Sequence, residues 1–241
     1  HLGSAARRTP NVAELRRHVK GRVFTRSTPG FAAERRIFNT RFAGVVPLAV
    51  VRAASVADVS ATVKWAAYYG VPITARSGGH SYAGYSSVKG GVVVDVRGLH
   101  NIRLGSGTAQ IGAGNNLWAV YSTLARHGLT VPGGSCPTVG IAGLALGGGM
   151  GLAARKYGLT LDSVKAIQVV TADGKVRNAS ASSNEELYWA CRGGGGGNFG
   201  IATSFTMKTH PGPSCAYFTA QWPWKEAEAM LGAWLRHAPH L

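Results

Sequence analysis

Apolar positions in the first third of the chain predict a strand, a helix and a second strand, in that order. The first strand is the short apolar run from Leu48 to Val51. Ser55 and Asp58 form a capping box in its acidic form, and the helix that they begin ends at Gly70. Its apolar positions repeat at helical spacing: Val56, Val59, Val63, Ala66 and Ala67. With a second strand from Val71 to Thr74, the unit has the size of a βαβ crossover, about 30 residues.

The pattern further along mixes strands and helices in both orders. The other predicted strands are apolar or alternating runs bounded by turn residues: Gly91–Val96, Asn101–Leu104, Thr108–Ile111, Val164–Thr171, Lys175–Ala179 and Ile201–Thr209. The other predicted helices follow capping residues: Pro10–Lys20, Asn115–His127 and Asn184–Cys191. Asp173-Gly174 predicts the turn of a hairpin. This order of elements indicates the α+β class.

The composition changes near Pro211-Gly212-Pro213, where we place a domain boundary. We expect a basic helical segment at 1–41, the main domain at 42–210 and the beginning of another domain at 211–241. The last of these predicts a strand from Ala216 to Gln221 and a helix from Lys225 to Arg236.

Composition places the chain among folded globular proteins. Of 241 residues, 45% are apolar and 15% are charged, unlike a disordered chain. No apolar run reaches the roughly 18–20 residues of a membrane span. Because residue 1 is His, we expect a processed chain that is secreted or exported and has lost its targeting peptide.

The net charge of +16 is concentrated near the start of the chain. Residues 1–41 hold ten Lys and Arg against Glu14 and Glu34, a net +8. Such a surface is typical of a solvated basic face, of an acidic partner segment or of a dianionic cofactor. Nucleic acid is not favoured, because no helix-turn-helix and no alternation of basic and aromatic residues accompany the charge.

Three cysteines, at positions 136, 191 and 215, show no CxxC and no metal-ligand spacing. We therefore expect no zinc or iron–sulfur site. The odd number leaves at least one thiol unpaired, or one sulfur bonded to something other than cysteine.

Many of the 34 glycines fall in three clusters, at Arg76–Ser81, Pro132–Gly151 and Arg192–Gly200. Turns and tight packing account for any one cluster. Three clusters at the ends of predicted strands favour backbone that approaches a ligand and points N–H groups at an anion. No GxxxxGK[ST] loop and no strand–GxGxxG–helix unit occurs, so the two best-known nucleotide motifs are not the explanation.

The segments Arg76–Tyr82, Pro132–Gly151 and Trp189–Gly200 together resemble the flavin-linked oxidases of the berberine bridge enzyme-like family. That family has the vanillyl-alcohol oxidase, or PCMH-type, FAD-binding fold. The resemblance covers about residues 44–210. It implies a FAD-binding domain of two α+β subdomains, followed by the start of a truncated or separately encoded substrate domain.

The resemblance also implies how FAD is held. The family's His in S-G-G-H-S bonds the flavin 8α-methyl, and its Cys in G-x-C-x-x-V-G bonds flavin C6. The matching residues are His80 and Cys136, so bicovalent FAD is expected. Cys191 and Cys215 are then free thiols or a disulfide.

The remaining expected cofactor contacts lie in the same motifs: Arg76, Ser77, Gly78, Gly79, Ser81, Gly134, Thr138, Val139, Gly140, Gly143, Gly147, Gly151, Gly200 and Ile201. Arg76 is equally well explained by a surface or structural salt bridge. Val139 matches the position that the family uses to control access of dioxygen to the flavin, where Val goes with oxidases and Ile with dehydrogenases.

Members of the family continue with a substrate domain that supplies the catalytic base, and no residue here matches that base. Proteolytic cleavage, a truncated product and an incomplete sequence each explain this, and we expect a second chain or segment to carry the substrate domain. The expected activity moves hydride from an alcohol, a sugar or natural-product hydroxyl, to FAD and reduces O2 to H2O2. The alternative is a non-catalytic flavin-binding or carbohydrate-interaction protein that needs a second chain for activity.

Overall fold

The structure is a computed structural model that describes residues 8–212, 214 and 219–240. Its helices are α1 Val12–His18, α2 Phe31–Glu34, α3 Val56–Tyr69, α4 Leu117–Ala125, α5 Ile141–Leu146, α6 Ala154–Tyr157, α7 Glu185–Ala190 and α8 Ala227–His237. Its strands are β1 Arg22–Phe24, β2 Ala49–Arg52, β3 Ile73–Arg76, β4 Val92–Asp95, β5 Ile102–Gly105, β6 Thr108–Gly112, β7 Leu129–Thr130, β8 Val164–Val170, β9 Val176–Ser180, β10 Ile201–Lys208 and β11 His210–Pro211.

The first sheet contains the predicted crossover. Its order is β1-β2-β4-β3, with β2 and β3 both parallel to β4 and β1 antiparallel at one edge. The chain passes from β2 through α3 to β3, and β4 then inserts between them. Ser55 caps α3 by accepting from the Asp58 N–H, and Gly70 ends it at φ 62°, as the sequence predicts.

The strand after α3 begins two residues later than predicted. The N–H of Val71 donates to the Ala66 carbonyl at 2.9 Å, which ties this residue to the end of the helix. Strand β3 therefore runs from Ile73 to Arg76, and its last residue leads directly into the first glycine cluster.

The second sheet is antiparallel, in the order β5-β6-β10-β8-β9. The hairpin of β8 and β9 is confirmed, and Gly174 in its turn has φ +72°. Central strand β10 places Phe205 and Met207 fully in the core. A third sheet pairs β11 with β7. These sheets together with the helices confirm the α+β class.

Helix α4 has a different cap from the one predicted. Asn116 accepts from the Ala119 N–H at 2.9 Å, whereas the Asn115 amide is buried and donates to the Gly112 carbonyl at 2.9 Å. Prediction of the cap at Asn115 was therefore wrong by one residue. The helix also ends at Ala125, before the predicted His127.

The C-terminal part differs from the domain before it. The predicted strand Ala216–Gln221 lies largely outside the described residues, and positions 219–221 are not in a strand. Helix α8 begins two residues after the predicted start, behind a short 3-10 turn. None of its residues is buried.

Candidate cofactor site

A cavity of about 670 Å³ opens where the three glycine clusters meet. It is lined by residues from 75–86, 134–150 and 196–202, together with Val96. The predicted site residues that line it are Arg76, Ser77, Gly78, Gly79, His80, Ser81, Gly134, Cys136, Val139, Gly140, Gly143 and Gly200. Its volume is typical of a site for a small molecule or cofactor.

Four predicted contacts lie outside the lining of this cavity, within the described part of the chain. Thr138 lines a smaller neighbouring cavity of about 310 Å³. Gly147 ends helix α5, and Ile201 is buried at the start of β10. Gly151 packs on protein backbone, because a Cβ there would lie 1.8 Å from the Gly133 carbonyl oxygen.

The first two glycine clusters touch through their backbones. A Cβ on Gly78 would lie 2.2 Å from the Gly140 nitrogen, and a Cβ on Gly140 would lie 2.2 Å from the Gly78 nitrogen. Neither position accepts a side chain unless the backbone moves. Part of the glycine requirement therefore comes from protein packing and not from a ligand.

Other glycines face open space. A Cβ on Gly143 or on Gly197 would meet no atom within 4 Å, and one on Gly196 would meet only the Gly143 Cα at 3.9 Å. All three line the large cavity. This surface of bare backbone leaves room that side chains would fill, so the residues present fit a flat cofactor such as FAD.

His80 lies at the cavity, with a stacking partner on one face of its ring and a polar contact at one nitrogen. Its ring stacks on Phe38 with centroids 4.1 Å apart and planes at 17°. Its Nε2 is 3.0 Å from Thr138 Oγ1. Burial lowers the pKa of His80, which favours the neutral imidazole, the form in which one nitrogen has a free lone pair.

Cys136 is exposed at the same cavity. Its sulfur lies 3.8 Å from Thr138 Oγ1. The structure therefore connects the two residues expected to bond the flavin through a single hydroxyl group.

Arg76 is held beneath the loop by an ion pair. Its Nη2 lies 2.8 Å from Asp95 Oδ2, with both side chains buried, and it also donates to the Glu34 carbonyl at 2.6 Å. Arg97 binds the same carboxylate at 2.6 Å. Of the two roles that the sequence left open for Arg76, the structure shows the structural salt bridge.

The charges around Asp95 shift its titration. Burial raises the pKa of Asp95, but hydrogen bonds from Arg97 and the positive charge of Arg76 outweigh it, so the net pKa is below the ordinary value. Burial lowers the pKa of Arg76 more than Asp95 raises it. The pair remains ionised because an arginine titrates far above neutral pH.

Val139 is half-buried on the wall of the cavity. Its N–H donates to the Cys136 carbonyl at 3.2 Å, and its carbonyl accepts from the Leu117 N–H at 2.9 Å. Backbone hydrogen bonds on both sides therefore fix the place of this side chain.

Sequence reasoning missed three aromatic residues of the site. Tyr82 and Tyr85 line the cavity with 86% and 75% of their side chains exposed. Their place directly after the His80 loop is a signal that could have found them. Phe38 stacks on His80 from the basic N-terminal segment, and no local pattern indicates a contact across that distance in sequence.

Residues 8–212, 214 and 219–240 contain neither a metal-binding cluster nor a membrane-spanning helix. No group of three or more His, Cys, Asp or Glu side chains could hold a metal ion. No helix of this part is both long and apolar enough to cross a bilayer.

Residues 47–180 match the family described as "FAD binding domain". The uncharacterised FAD-linked oxidoreductase YvdP of Bacillus subtilis is 40% identical over 225 residues, which are 92% of this chain and 50% of that protein. The chitooligosaccharide oxidase of Gibberella zeae is 38% identical over 191 residues, 77% of this chain and 39% of that protein. The chain thus spans about half the length, or less, of these relatives.

Solved structures are similar over the same region. Physcomitrella patens BBE-like 1 superposes with a TM-score of 0.80 at 39% identity, covering 83% of this chain and 44% of that one. Two variants of Phl p 4 superpose with TM-scores of 0.78 at 30% identity, covering 83% of this chain and 44% of theirs. They differ by one isoleucine-to-valine substitution, and the one with valine is titled a glucose oxidase, the other a glucose dehydrogenase.

Proposed function

The chain belongs to the FAD-linked oxidoreductases with a PCMH-type FAD-binding domain, and from this we propose that it is the FAD-binding half of an oxidase. The proposed enzyme moves hydride from an alcohol, a sugar or natural-product hydroxyl, to covalently bound FAD, and O2 is reduced to H2O2. One observation carries the proposal. His80 and Thr138, 58 positions apart, are in hydrogen-bond contact, and Cys136 adjoins the same hydroxyl.

The chain's own residues would hold the cofactor in three ways. Backbone of the Ser77–Ser81 loop presents N–H groups to a pyrophosphate without any lysine. The open glycine surface at Gly143, Gly196 and Gly197 accepts a flat group. His80 and Cys136 provide the two nucleophiles for covalent attachment.

FAD, when bound, supplies the two-electron acceptor. Burial lowers the pKa of His80, which favours the neutral form that keeps a lone pair for bonding. Val139 is the residue on the cavity wall that we assign to control of dioxygen access.

The relative named chitooligosaccharide oxidase favours a carbohydrate alcohol as substrate. Tyr82 and Tyr85 expose their rings at the cavity, and an aromatic ring offers an apolar face to the C–H face of a sugar together with a hydroxyl for hydrogen bonding. We assign no catalytic base to the described residues.

The base and most of the substrate site are assigned to a substrate domain, on the same chain or on another. The exposed C-terminal surface supports this assignment. Trp224, Leu231, Trp234 and Leu235 are each at least 58% exposed, and the last three lie on α8, which buries none of its residues. Apolar side chains grouped in this way mark a surface that another part covers.

Two measurements on purified protein test the proposal. Acid precipitation and intact mass determination show whether FAD is covalently attached, and His80→Ala, Cys136→Ala and the double variant show where. We expect loss of one bond in each single variant and no covalent FAD in the double variant. A double variant that still carries covalent FAD contradicts the assignment of the two residues.

A peroxide-coupled assay with oligosaccharides and simple alcohols tests turnover. Production of H2O2 that depends on substrate supports the oxidase. Covalent FAD that no alcohol reduces, in protein that includes the substrate domain, supports the non-catalytic alternative instead. The wild-type protein is compared with the double variant, whose peroxide production must fall.

A further inference from the structure

Thr138 lies between the two residues that are proposed to bond the flavin. Its Oγ1 is 3.0 Å from His80 Nε2 and 3.8 Å from Cys136 Sγ. A hydroxyl group has one hydrogen to donate and two lone pairs that accept. Thr138 can therefore accept from one of these groups and donate to the other at the same time.

The contact with Thr138 determines which nitrogen of His80 is available. A neutral imidazole has one N–H nitrogen and one nitrogen with a free lone pair. If Nε2 carries the hydrogen and donates it to Thr138 Oγ1, Nδ1 keeps its lone pair for bonding to carbon. The Phe38 ring, stacked 4.1 Å away, holds the imidazole plane.

The same arrangement affects Cys136. In this tautomer one Thr138 lone pair accepts from the His80 N–H, so the hydroxyl can direct its own hydrogen to the sulfur. A hydrogen bond to a charged acceptor is stronger than one to a neutral acceptor. The thiolate, which is the nucleophilic form of cysteine, gains from this contact.

We propose that Thr138 is a positioning residue for covalent FAD attachment, which selects Nδ1 of His80 as nucleophile and stabilises the thiolate of Cys136. The inference rests on the proposed covalent FAD and goes beyond it, because it assigns one residue to the formation of both bonds. Thr138 itself forms no bond to the cofactor.

The reaction that forms each bond balances in atoms and electrons when dioxygen is the oxidant. At His80, the Nδ1–C bond forms while one C–H bond of the 8α-methyl and the Nε2–H bond break. At Cys136, the S–C bond forms while the C6–H bond and the thiol S–H bond break. In both cases two protons and two electrons pass to O2, which becomes H2O2.

The test uses the protein at its natural length, prepared without FAD and then mixed with FAD in air. Thr138→Val removes the hydroxyl and keeps the shape of the side chain, whereas Thr138→Ser keeps the hydroxyl. The control Thr206→Val makes the same threonine-to-valine change at a half-buried residue of β10, which does not line the cavity. Intact mass follows covalent FAD with time, and peptide mapping assigns it to His80 or Cys136.

We expect Thr138→Val to slow both bonds about tenfold or more, the factor that corresponds to loss of one hydrogen bond to a charged group. We expect Thr138→Ser and Thr206→Val to keep the wild-type rate of attachment within about threefold, which corresponds to only a small change in the activation barrier. Wild-type rates in Thr138→Val overturn the proposal, and so does a Thr138→Ser protein as slow as Thr138→Val.

A second measurement needs no FAD. Iodoacetamide alkylation at pH 7 reports the thiolate of Cys136, while buried Cys191 reports whether the fold is intact. We expect slower alkylation of Cys136 in Thr138→Val, rescue in Thr138→Ser and continued protection of Cys191. If wild-type protein never acquires covalent FAD, the proposed function fails; if Cys136 reacts equally fast in all variants, the role of Thr138 fails.

Discussion

A Cβ atom on Gly78 would lie 2.2 Å from the backbone nitrogen of Gly140, and the reverse distance is the same. Two loops far apart in sequence thus meet backbone to backbone. The first loop continues to His80 and the second contains Cys136, so this contact brings the two expected flavin ligands to one cavity. The glycines here position the site before any cofactor binds.

Gly140→Ala tests this contact. The added methyl group meets backbone atoms and the Ser77 hydroxyl, so the loops must separate. We expect a loss of roughly 1–3 kcal/mol in the free energy of unfolding, as for other overpacked sites, together with loss of covalent FAD. Urea unfolding and intact mass measure the two effects.

Gly44→Ala is the matched control, because a Cβ there meets nothing within 4 Å and φ is not positive. We expect a change within about 0.5 kcal/mol, typical of surface substitutions. Equal stability and FAD content in the two variants would contradict a close contact between the loops.

Gly143→Ala has opposite expected effects on folding and on binding. Gly143 lies inside helix α5 with open space at its Cβ, so alanine should stabilise the FAD-free protein by roughly 0.5–1 kcal/mol. The same methyl group enters the large cavity and should weaken FAD binding. Thermal unfolding without FAD and titration with FAD separate the two. Unchanged affinity would show that the cofactor does not reach α5.

Asp95→Asn tests the buried charges under the His80 loop. The variant leaves Arg76 buried without its counter-ion, and breaking a buried pair in this way costs about 3–5 kcal/mol. Urea unfolding at pH 7 measures the loss. Asp173→Asn, which changes an exposed pair with Arg177, is the control and should have little effect because water screens such pairs.

The carboxylate of Asp95 makes the stability of the folded protein depend on pH. The pKa of Asp95 is lower in the folded protein than its ordinary value of 3.8, so its contribution to stability is present above that value. It is lost as the pH falls through the lower folded-state pKa. Wild-type protein should therefore lose more stability than Asp95→Asn between pH 7 and pH 3. Parallel curves would contradict an ionised Asp95 in the folded state.

Local signals predicted the parts of the fold that are determined locally. The N-cap Ser55 and the left-handed Gly70 define α3 from end to end, and the Asp173-Gly174 turn defines the hairpin. The capping box was only half right, because the Asp58 carboxylate accepts from the Ala54 N–H and not from the Ser55 N–H. Helix α5 was missed because it lies within a glycine-rich stretch, where helix propensity is low. It forms because Ile141 and its apolar neighbours pack into the core.

In the site, too, the sequence predicts what local motifs determine and not what tertiary contacts determine. The motifs identified His80 and Cys136, and the cavity joins them. Contacts that depend on tertiary structure were out of reach, such as Phe38 on His80 and Asp95 on Arg76. The link through Thr138 also depends on the fold, because the sequence shows only that Thr138 lies two residues after Cys136.

Val139→Ile tests control of dioxygen access. Backbone hydrogen bonds hold Val139 on the cavity wall, and we expect the methyl group that isoleucine adds to narrow the cavity. We expect oxidation of dithionite-reduced protein by O2 to slow about tenfold, equivalent to roughly 1.4 kcal/mol in the barrier. Stopped-flow absorbance of the flavin measures this without any knowledge of the substrate. Val139→Ala is the control and should keep or increase the wild-type rate. Reoxidation at the wild-type rate in Val139→Ile, with covalent FAD present in full, would remove Val139 from the proposed role.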